Sequence, residues 1–573
     1  VKLAWHAKAN SWTDGFKVYR AKGEGGELKE LGTSREKAFE DSTLTEEATY
    51  YYYAAGLSVS GARGGLSAPA QAYYKPPEAP KPAEPEAAAE NKNVAPMEIV
   101  APQLNYIFSA NYKYYQKNPV ASVSVKNNTD SDFTNVKLSF YFKDFMDFPS
   151  DTVVPLVKAR SQADVPLSAT LNNRVLNITE DTPIQCQLSL TYYQDGAEKT
   201  FTLNKPVKVL SKNAIVWDKP QRLANFITPK DTPVFGFSRF ALNEKAKVQD
   251  SASYLNENAL TALMVWEAMG EQGLSYLADP VNPYEVLKSS KEAVLDTVQF
   301  PRGTLKLKSG DCDDLTALFA SIFEAAGVRT ALLDYPAHIS LMFDTGEQDA
   351  RVVGIPEEYL IRYDNTLWVG VEETMVGKDF YEAVKRAAAL YRQNQKDVRV
   401  IEVRGAWAEF EPVTLPDTAD EAYPDKAKFE ARVNETAAAM LKVRYAYLKG
   451  YYGRILLENP DDADANLNLG ILYASSSEPD AAAKSFGAVL EKDPFNAAAL
   501  NDLGDLALDR KDYDGARKYY FDAAKADPYD AGIWLNLARL SERLGKKDDV
   551  KAFADRAARI DPSVKSTGDM LLK

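Results

Sequence analysis

The sequence predicts a multidomain protein that combines two all-β sandwiches, an α+β domain and an all-α repeat region. Its 573 residues exceed what one hydrophobic core can organise, and roughly three to five domains are expected for this length. Residues 1–212 contain short runs of alternating apolar and polar residues separated by turn residues, which is typical of antiparallel sheets. Near the other end, proline recurs at a constant interval of 34 residues, from Pro460 to Pro562.

Composition excludes several classes of protein. Hydrophobic residues make up 45% of the chain and charged residues 26%, which is ordinary for soluble globular domains. The net charge of −14 argues against a nucleic-acid-binding surface. No run of 18 apolar residues occurs, so no transmembrane helix is predicted. Cys186 and Cys312 fall in different predicted domains, so we expect no disulfide, and without a His/Cys cluster we expect neither a metal nor a cofactor.

Residues 1–74 are predicted to form the first all-β domain. Trp5 ends an alternating run, Tyr50 follows Leu44 by six residues, and Ser67 begins a Ser-Ala-Pro sequence. With these residues the segment resembles a fibronectin type III domain, in which they match the core Trp of the second strand, the tyrosine corner and the approach to the last strand. The first strand of that fold is missing, so we expect the natural gene product to extend upstream of Val1.

A linker and a second sandwich are predicted to follow. Residues 75–102 are rich in Pro, Ala and charge, which is typical of an extended, semi-rigid spacer. Residues 103–212 contain alternating runs at 120–125, 136–142 and 185–192, with turn residues between them. This segment resembles immunoglobulin-like accessory domains at the level of the fold alone. Cys186 lies in a predicted strand and is expected to be a core residue.

Residues 213–412 are predicted to form the α+β domain, which is organised around Cys312. Apolar residues at 315, 318, 319, 322 and 323 define one face of a helix, with Asp311 as its N-cap and Gly327 at its C-terminal end. Cys312 therefore lies in the first turn, where the helix dipole lowers the pKa of a thiol. Asp313 and Asp314 oppose that shift, since nearby negative charge raises the pKa of a thiol.

Two further residues complete a candidate catalytic group. His338 begins an alternating run after the helix, and Glu372 lies on the same predicted strand face as Trp368. The Gly-Asp-Cys312 sequence, His338 and the Trp368-Val-Gly-Val-Glu372 sequence resemble the transglutaminase-like superfamily, with its papain-type Cys, His and acid. The family usually has Asp where this protein has Glu372. The resemblance implies a nucleophile Cys312, a base His338 and an orienting acid Glu372.

The pattern leaves part of the chemistry open. We predict that Cys312 is a low-pKa nucleophile whose reactivity depends on His338, with the outcome decided by the balance between helix dipole and aspartates. For the oxyanion, the backbone N–H of Cys312 is one candidate donor, and the sequence indicates no clear second.

Residues 413–573 are predicted to form an all-α solenoid. Residues within each unit repeat with the prolines, as Leu469-Gly470, Leu503-Gly504 and Leu537 illustrate. The period of 34 and these positions resemble tetratricopeptide repeats, three good ones and a degenerate unit ending at Pro460. The resemblance implies a concave groove that binds protein or peptide segments. The combination of sandwiches and such repeats favours the periplasm or the cell surface.

Two functions remain open at this point. The first is a Cys–His hydrolase or acyl transferase that acts on peptide or isopeptide amide bonds, with flanking interaction modules. The second is a non-catalytic scaffold that uses the sandwiches and the solenoid for protein assembly. The residues do not separate hydrolysis from transamidation, because that depends on whether water or an amine reaches the thioester.

Overall fold

The computed structural model describes residues 1–5, 13–58, 62–75, 95–104, 106–278, 295–336, 338–418 and 422–571. The protein divides into two compact units, Val1–Val94 and Ala95–Lys573. Most of the predicted linker, residues 76–94, lies outside the described residues. Among the helices within the described ranges, none is both long and apolar enough to span a bilayer.

The described part of the first unit consists of seven strands in two sheets. Their bounds are Lys2–Ala4 (β1), Thr13–Lys22 (β2), Lys29–Ser34 (β3), Ala38–Glu40 (β4), Ala48–Ser58 (β5), Arg63–Leu66 (β6) and Ala70–Tyr74 (β7). One sheet pairs β1 with β4, and the other has the order β3–β2–β5–β6, with β7 also paired to β5. The Tyr50 hydroxyl donates to the Glu46 carbonyl at 3.1 Å, a local contact of the tyrosine-corner kind. The fibronectin type III assignment itself stays a prediction.

The second unit begins with an antiparallel sandwich. Its strands are Met97–Leu104 (β8), Ile107–Phe108 (β9), Ala121–Asn127 (β10), Phe133–Phe142 (β11), Ser150–Val157 (β12), Gln162–Leu167 (β13), Thr182–Gln194 (β14) and Ala197–Leu210 (β15). The sheets have the orders β13–β10–β8 and β12–β11–β14–β15–β9. Cys186 is buried in the core, as predicted. The predicted boundary at 103 is wrong by several residues, because β8 already pairs with β10 from Met97 onward.

An α+β domain follows the sandwich. Its strands are Ala214–Val216 (β16), Ser275–Tyr276 (β17), Leu295–Thr297 (β18), Ser309–Gly310 (β19), Thr330–Tyr335 (β20), His338–Asp344 (β21), Leu360–Tyr363 (β22), Thr366–Val371 (β23) and Arg399–Glu402 (β24). Its described helices are Thr232–Asn243 (α1), Lys245–Ala252 (α2), Glu257–Gln272 (α3), Pro301–Leu307 (α4), Cys312–Ala325 (α5), Ala350–Val353 (α6), Phe380–Gln393 (α7) and Val403–Ala406 (α8). The central sheet has the order β22–β23–β21–β20–β24, and all of its pairs are antiparallel.

Helix α5 lies at the centre of this domain. Phe319 contacts Trp266 of α3 with ring centroids 5.5 Å apart, and Phe323 contacts Phe343 of β21 at 5.6 Å. Burial on two sides explains why α5 is apolar around most of its circumference rather than along one stripe. The packing fixes the helix between α3 and the sheet, so its first residue is held beside the beginning of β21.

The C-terminal region is entirely helical in its described residues. Its helices are Lys426–Glu458 (α9), Ala463–Ser475 (α10), Pro479–Lys492 (α11), Ala497–Asp509 (α12), Tyr513–Ala526 (α13), Ala531–Arg543 (α14), Lys547–Ile560 (α15) and Lys565–Leu571 (α16). The helices α10 to α15 form three consecutive pairs, as the 34-residue spacing predicts. Within the first two pairs a glycine lets an aromatic ring approach: a Cβ at Gly470 would lie 2.4 Å from the Phe486 ring, and one at Gly504 would lie 2.5 Å from Tyr520.

The unit that ends at Pro460 is not the degenerate repeat that the sequence suggested. Residues 426–458 form the single 33-residue helix α9. Its first half packs on the α+β domain, where Arg432 forms an ion pair at 2.9 Å with the buried Glu267 of α3. Its second half packs on α10 through Leu448 and Tyr452. One continuous helix therefore joins the α+β domain to the solenoid.

Candidate active site

The first turn of α5 places Cys312 at the surface of the α+β domain. The Asp311 carboxylate caps the helix by accepting from the backbone N–H of Asp314 at 3.2 Å. Cys312 is the first helical residue, a free thiol that is half-buried. The predicted N-cap and the predicted helix start are both confirmed.

His338 and Glu372 form the second part of the site. His338 begins β21, and Glu372 follows the last residue of β23, the neighbouring strand. Their side chains meet with 3.1 Å between His338 Nε2 and Glu372 Oε2. The other carboxylate oxygen of Glu372 accepts from the Thr374 hydroxyl at 2.5 Å. Burial alone would raise the pKa of Glu372, but the hydrogen bond and charge of His338, with Thr374, hold it below its usual value.

The imidazole of His338 also stacks on the ring of Tyr335. Tyr335 stands opposite His338 in the β20–β21 ladder, and the two rings lie nearly parallel, 10° apart in orientation with centroids separated by 6.2 Å. Glu372 on one side and Tyr335 on the other therefore restrict the orientation of the ring. A base held in one orientation needs less rearrangement when a proton is transferred.

The α5 N-terminus and the His338 strand come together at Ile339. The backbone N–H of Ile339, the residue after His338, lies near enough to Cys312 to lower the pKa of its thiol. One turn further along the helix, the Thr316 hydroxyl donates to the carbonyl of Ile339 at 3.4 Å. The three residues singled out from the sequence are thus brought to one end of the central sheet.

The pKa of Cys312 is shifted in the direction opposite to the prediction. Burial raises the pKa of the thiol, and the carboxylates of Asp313 and Asp311 raise it further. The hydrogen bonds from the backbone N–H groups of Ile339 and Asp313 oppose this increase without cancelling it. The raised pKa favours a neutral thiol over a thiolate at Cys312.

Three aspartates crowd the first turn of α5. Carboxylate oxygens of Asp311, Asp313 and Asp314 all lie within 4.8 Å of one another. Asp314 accepts from the Gln299 backbone N–H at 2.6 Å and from its side-chain amide at 2.5 Å, and burial raises its pKa to about 6. Burial and a hydrogen bond with Asp311 raise the pKa of Asp313 well above its ordinary value. These groups already serve one another and the helix N-terminus as hydrogen-bonding partners.

Replacing Asp313 by Asn is expected to stabilise the protein at neutral pH and to make Cys312 more reactive. Because the pKa of Asp313 is higher in the folded protein than in the unfolded state, stability is lost as pH rises above about 4. A neutral amide of the same shape removes that loss, so the free energy of opening α5 should increase. Hydrogen exchange of α5 amides at pH 7 and alkylation of Cys312 by iodoacetamide at pH 8 measure the two effects.

The control for this substitution is Asp514→Asn. Asp514 is an exposed aspartate in the first turn of α13, so the same change of charge at a helix start should leave both measurements unaltered. Slower alkylation of Cys312 in Asp313→Asn, or faster exchange of α5, would show that Asp313 supports the site in its ionised form.

Tyr276 is a neighbour of the site that the sequence did not indicate. Strand β17 pairs in parallel with β19, which places Tyr276 opposite Gly310, two residues before Cys312. Burial raises the pKa of its hydroxyl, and the neighbouring acidic side chains of the site add to the increase. Tyr276 is separated from Cys312 by 36 positions, and no spacing pattern marks a two-residue strand. Thr374, in contrast, already belonged to the Glu-Glu-Thr sequence that begins at Glu372.

Comparison with known proteins identifies the solenoid. Family models described as tetratricopeptide repeat match residues 467–531 and 507–566. Among solved structures, this protein is similar to the crystal structure of MamA, at 16% identity over 23% of this sequence and 86% of that one, with a TM-score of 0.20. It is also similar to YrrB, described as a TPR protein with an unusual peptide-binding site. The identity is 19% over 21% of this sequence and 62% of that one, and the TM-score is 0.20.

A third structure, PilF of Pseudomonas aeruginosa, is 20% identical over 25% of this sequence and 61% of that one, with a TM-score of 0.20. The curated proteins contain no match. The family models cover the three helix pairs α10–α15, where the prolines and the close glycine–aromatic contacts recur. The C-terminal region therefore contains tetratricopeptide repeats, which are protein-interaction modules.

Proposed function

We propose that the protein is a Cys–His hydrolase or acyl transferase acting on peptide or isopeptide amide bonds, with the repeats binding a protein segment. The observation that carries this proposal is the 3.1 Å contact between His338 and Glu372, at the end of the strand that packs beside the first turn of the Cys312 helix. A nucleophile, a base and a group that orients the base are the parts needed for acyl transfer.

A neutral thiol requires that proton removal and attack occur together. As the Cys312 sulfur bonds to the substrate carbonyl carbon, His338 takes the thiol proton and becomes an imidazolium that Glu372 stabilises. The amide C–N bond then breaks, and the imidazolium returns the proton to the departing amine. A thioester remains on Cys312. Water or a second amine attacks it with His338 as the base, which releases the acid or a new amide and restores the thiol.

The oxyanion that forms during attack needs donors close to Cys312. The backbone N–H of Cys312 stays a candidate, and the Tyr276 hydroxyl is a second, because its position opposite Gly310 brings it within electrostatic reach of the thiol. A donor aimed at developing negative charge contributes most when it is fixed beforehand.

One observation favours the non-catalytic scaffold as the alternative. Burial and two aspartates raise the pKa of Cys312, which is the opposite of what an activated thiol needs. On this alternative the α+β domain keeps its fold and joins the sandwich to the solenoid, and α9 provides the rigid connection.

A paired assay tests the proposal and separates the two reactions. The full-length protein is incubated with methylated casein, once with dansylcadaverine as the amine and once without it. Incorporation of the fluorophore indicates acyl transfer, and release of acid-soluble peptides indicates hydrolysis; Cys312→Ala is the control for both. If neither product exceeds that of Cys312→Ala, the scaffold is favoured.

A further inference from the structure

A pocket lies at the joint between the α+β domain and α9, and its lining includes none of the three candidate catalytic residues. It has a volume of about 530 Å³ and is lined by Tyr254, Leu255 and Val352 of the α+β domain and by Leu441, Arg444 and Tyr445 of α9. This volume lies within the ordinary range of about 300–1,000 Å³ for small-molecule sites. Ser253 also lines the pocket, so its walls combine polar groups with aliphatic and aromatic ones, and Arg444 is the charged residue among them.

Arg444 has no carboxylate partner among the described residues. Its guanidinium Nη2 donates to the backbone carbonyl of Arg351 at 3.3 Å, and its buried Nε–H finds no acceptor within the described ranges. The nearby acids are already engaged: Asp349 forms an ion pair with Arg351 at 2.6 Å, and Glu357 accepts from Tyr447 at 3.5 Å. A buried donor without a partner is costly, since it gave up water without gaining a hydrogen bond.

Another arginine of α9 has the carboxylate partner that Arg444 lacks among the described residues. Arg432, three turns earlier, meets the buried carboxylate of Glu267 at 2.9 Å. Arg444 instead lies over the Tyr254 ring, 5.6 Å from its centroid, and lines the pocket. Arg432 is therefore paired with a carboxylate of the protein, whereas Arg444 lines a pocket.

We propose that this pocket binds a carboxylate, with Arg444 as its counter-ion and with the aliphatic side chains of the lining contacting the carbon atoms that carry it. A carboxylate accepts from a guanidinium at both oxygens and needs one positive charge. A phosphate dianion needs more positive charge, and the guanidinium of Arg351, whose backbone Arg444 contacts, is already paired with Asp349. The pocket therefore fits an Asp or Glu side group or the C-terminus of a polypeptide better than a phosphate. This assignment does not depend on the chemistry of Cys312.

Two model compounds distinguish the possible sources of the carboxylate. N-acetyl-glutamate methylamide carries only the carboxylate of its side group, and N-acetyl-leucine carries only a terminal carboxylate; inorganic phosphate is the competing anion. Calorimetric titration of the full-length protein with each compound should give binding for at least one carboxylate and weaker binding for phosphate. Arg444→Gln should weaken carboxylate binding at least tenfold, whereas Arg454→Gln, an exposed arginine on the same helix, should not.

A second measurement uses the wild-type protein alone, in case Arg444→Gln disturbs the joint. Adding 20 mM of the tighter carboxylate should slow hydrogen exchange at 253–258 and 438–446 by at least threefold and leave α13 unchanged. No binding of either carboxylate, binding that Arg444→Gln retains, tighter binding of phosphate, or unaltered exchange at the joint would each overturn the assignment.

Discussion

Replacing His338 by Ala is expected to slow acylation of Cys312 by p-nitrophenyl acetate by roughly 10²–10⁴-fold, the usual contribution of a positioned general base. The effect should be large because the thiol is neutral at rest: burial and two aspartates hold its proton, so attack requires a base at the moment of bond formation. The initial burst of p-nitrophenolate from the full-length protein at pH 7 measures the rate.

Two variants serve as comparisons for that result. Glu372→Gln should slow the burst less than His338→Ala, because the amide still fills the position at 3.1 Å from the ring but cannot stabilise the imidazolium by charge. Cys186→Ser should leave the burst unchanged, since Cys186 is buried in the sandwich core and burial raises its pKa to about 11. An unaltered burst in His338→Ala would show that His338 is not the base.

Replacing Tyr520 by Ala is expected to destabilise the solenoid by about 3–5 kcal/mol, the range for removing a large aromatic side chain from a core. Tyr520 is fully buried, its ring lies directly against Gly504, and its hydroxyl donates to Asp505 at 2.6 Å. Alanine would leave a cavity between α12 and α13 and an unsatisfied half-buried carboxylate. Hydrogen exchange of the amides in α12 to α15 measures the loss region by region.

The control is Tyr529→Ala in the turn between the second and third repeats, where the side chain is 78% exposed. We expect this substitution to change the free energy of opening, measured by hydrogen exchange, by less than about 0.5 kcal/mol. The effect of Tyr520→Ala should be confined to the solenoid, because each repeat contacts only its neighbours. Equal exchange in the two variants, or loss of protection spread over the central sheet of the α+β domain, would contradict this account of the packing.

Local patterns in the sequence predicted much of the architecture. The proline interval located the three helix pairs, because each repeat buries the same positions against its neighbour. The Asp311 cap and the apolar positions of α5 located the start of that helix. The alternation around His338 and Trp368 predicted two strands, and the structure pairs them, which accounts for the His338–Glu372 contact at the end of that pairing.

What the sequence left undecided depends on contacts between distant residues. From the sequence, the direction of the Cys312 pKa shift depended on the balance between the helix dipole and the neighbouring charges. In the structure, burial makes the largest contribution and raises the pKa. Tyr276 reaches the site through a two-residue parallel pairing that no periodicity marks. Residues before Pro460 were interpreted as a degenerate repeat because that proline fits the 34-residue interval, whereas the first half of α9 packs on α3, through Glu267 and Arg432.

The most direct test of the central claim locates the acyl group itself. The full-length protein is exposed to p-nitrophenyl acetate at pH 7, stopped in acid, digested and mapped by mass spectrometry. If Cys312 and His338 act as a nucleophile and its base, the peptide containing Cys312 should carry one acetyl group in the wild type and almost none in His338→Ala over the same time. A wild-type protein in which Cys312 stays unmodified, or equal acetylation in both proteins, would contradict the account and leave the scaffold as the function of this domain.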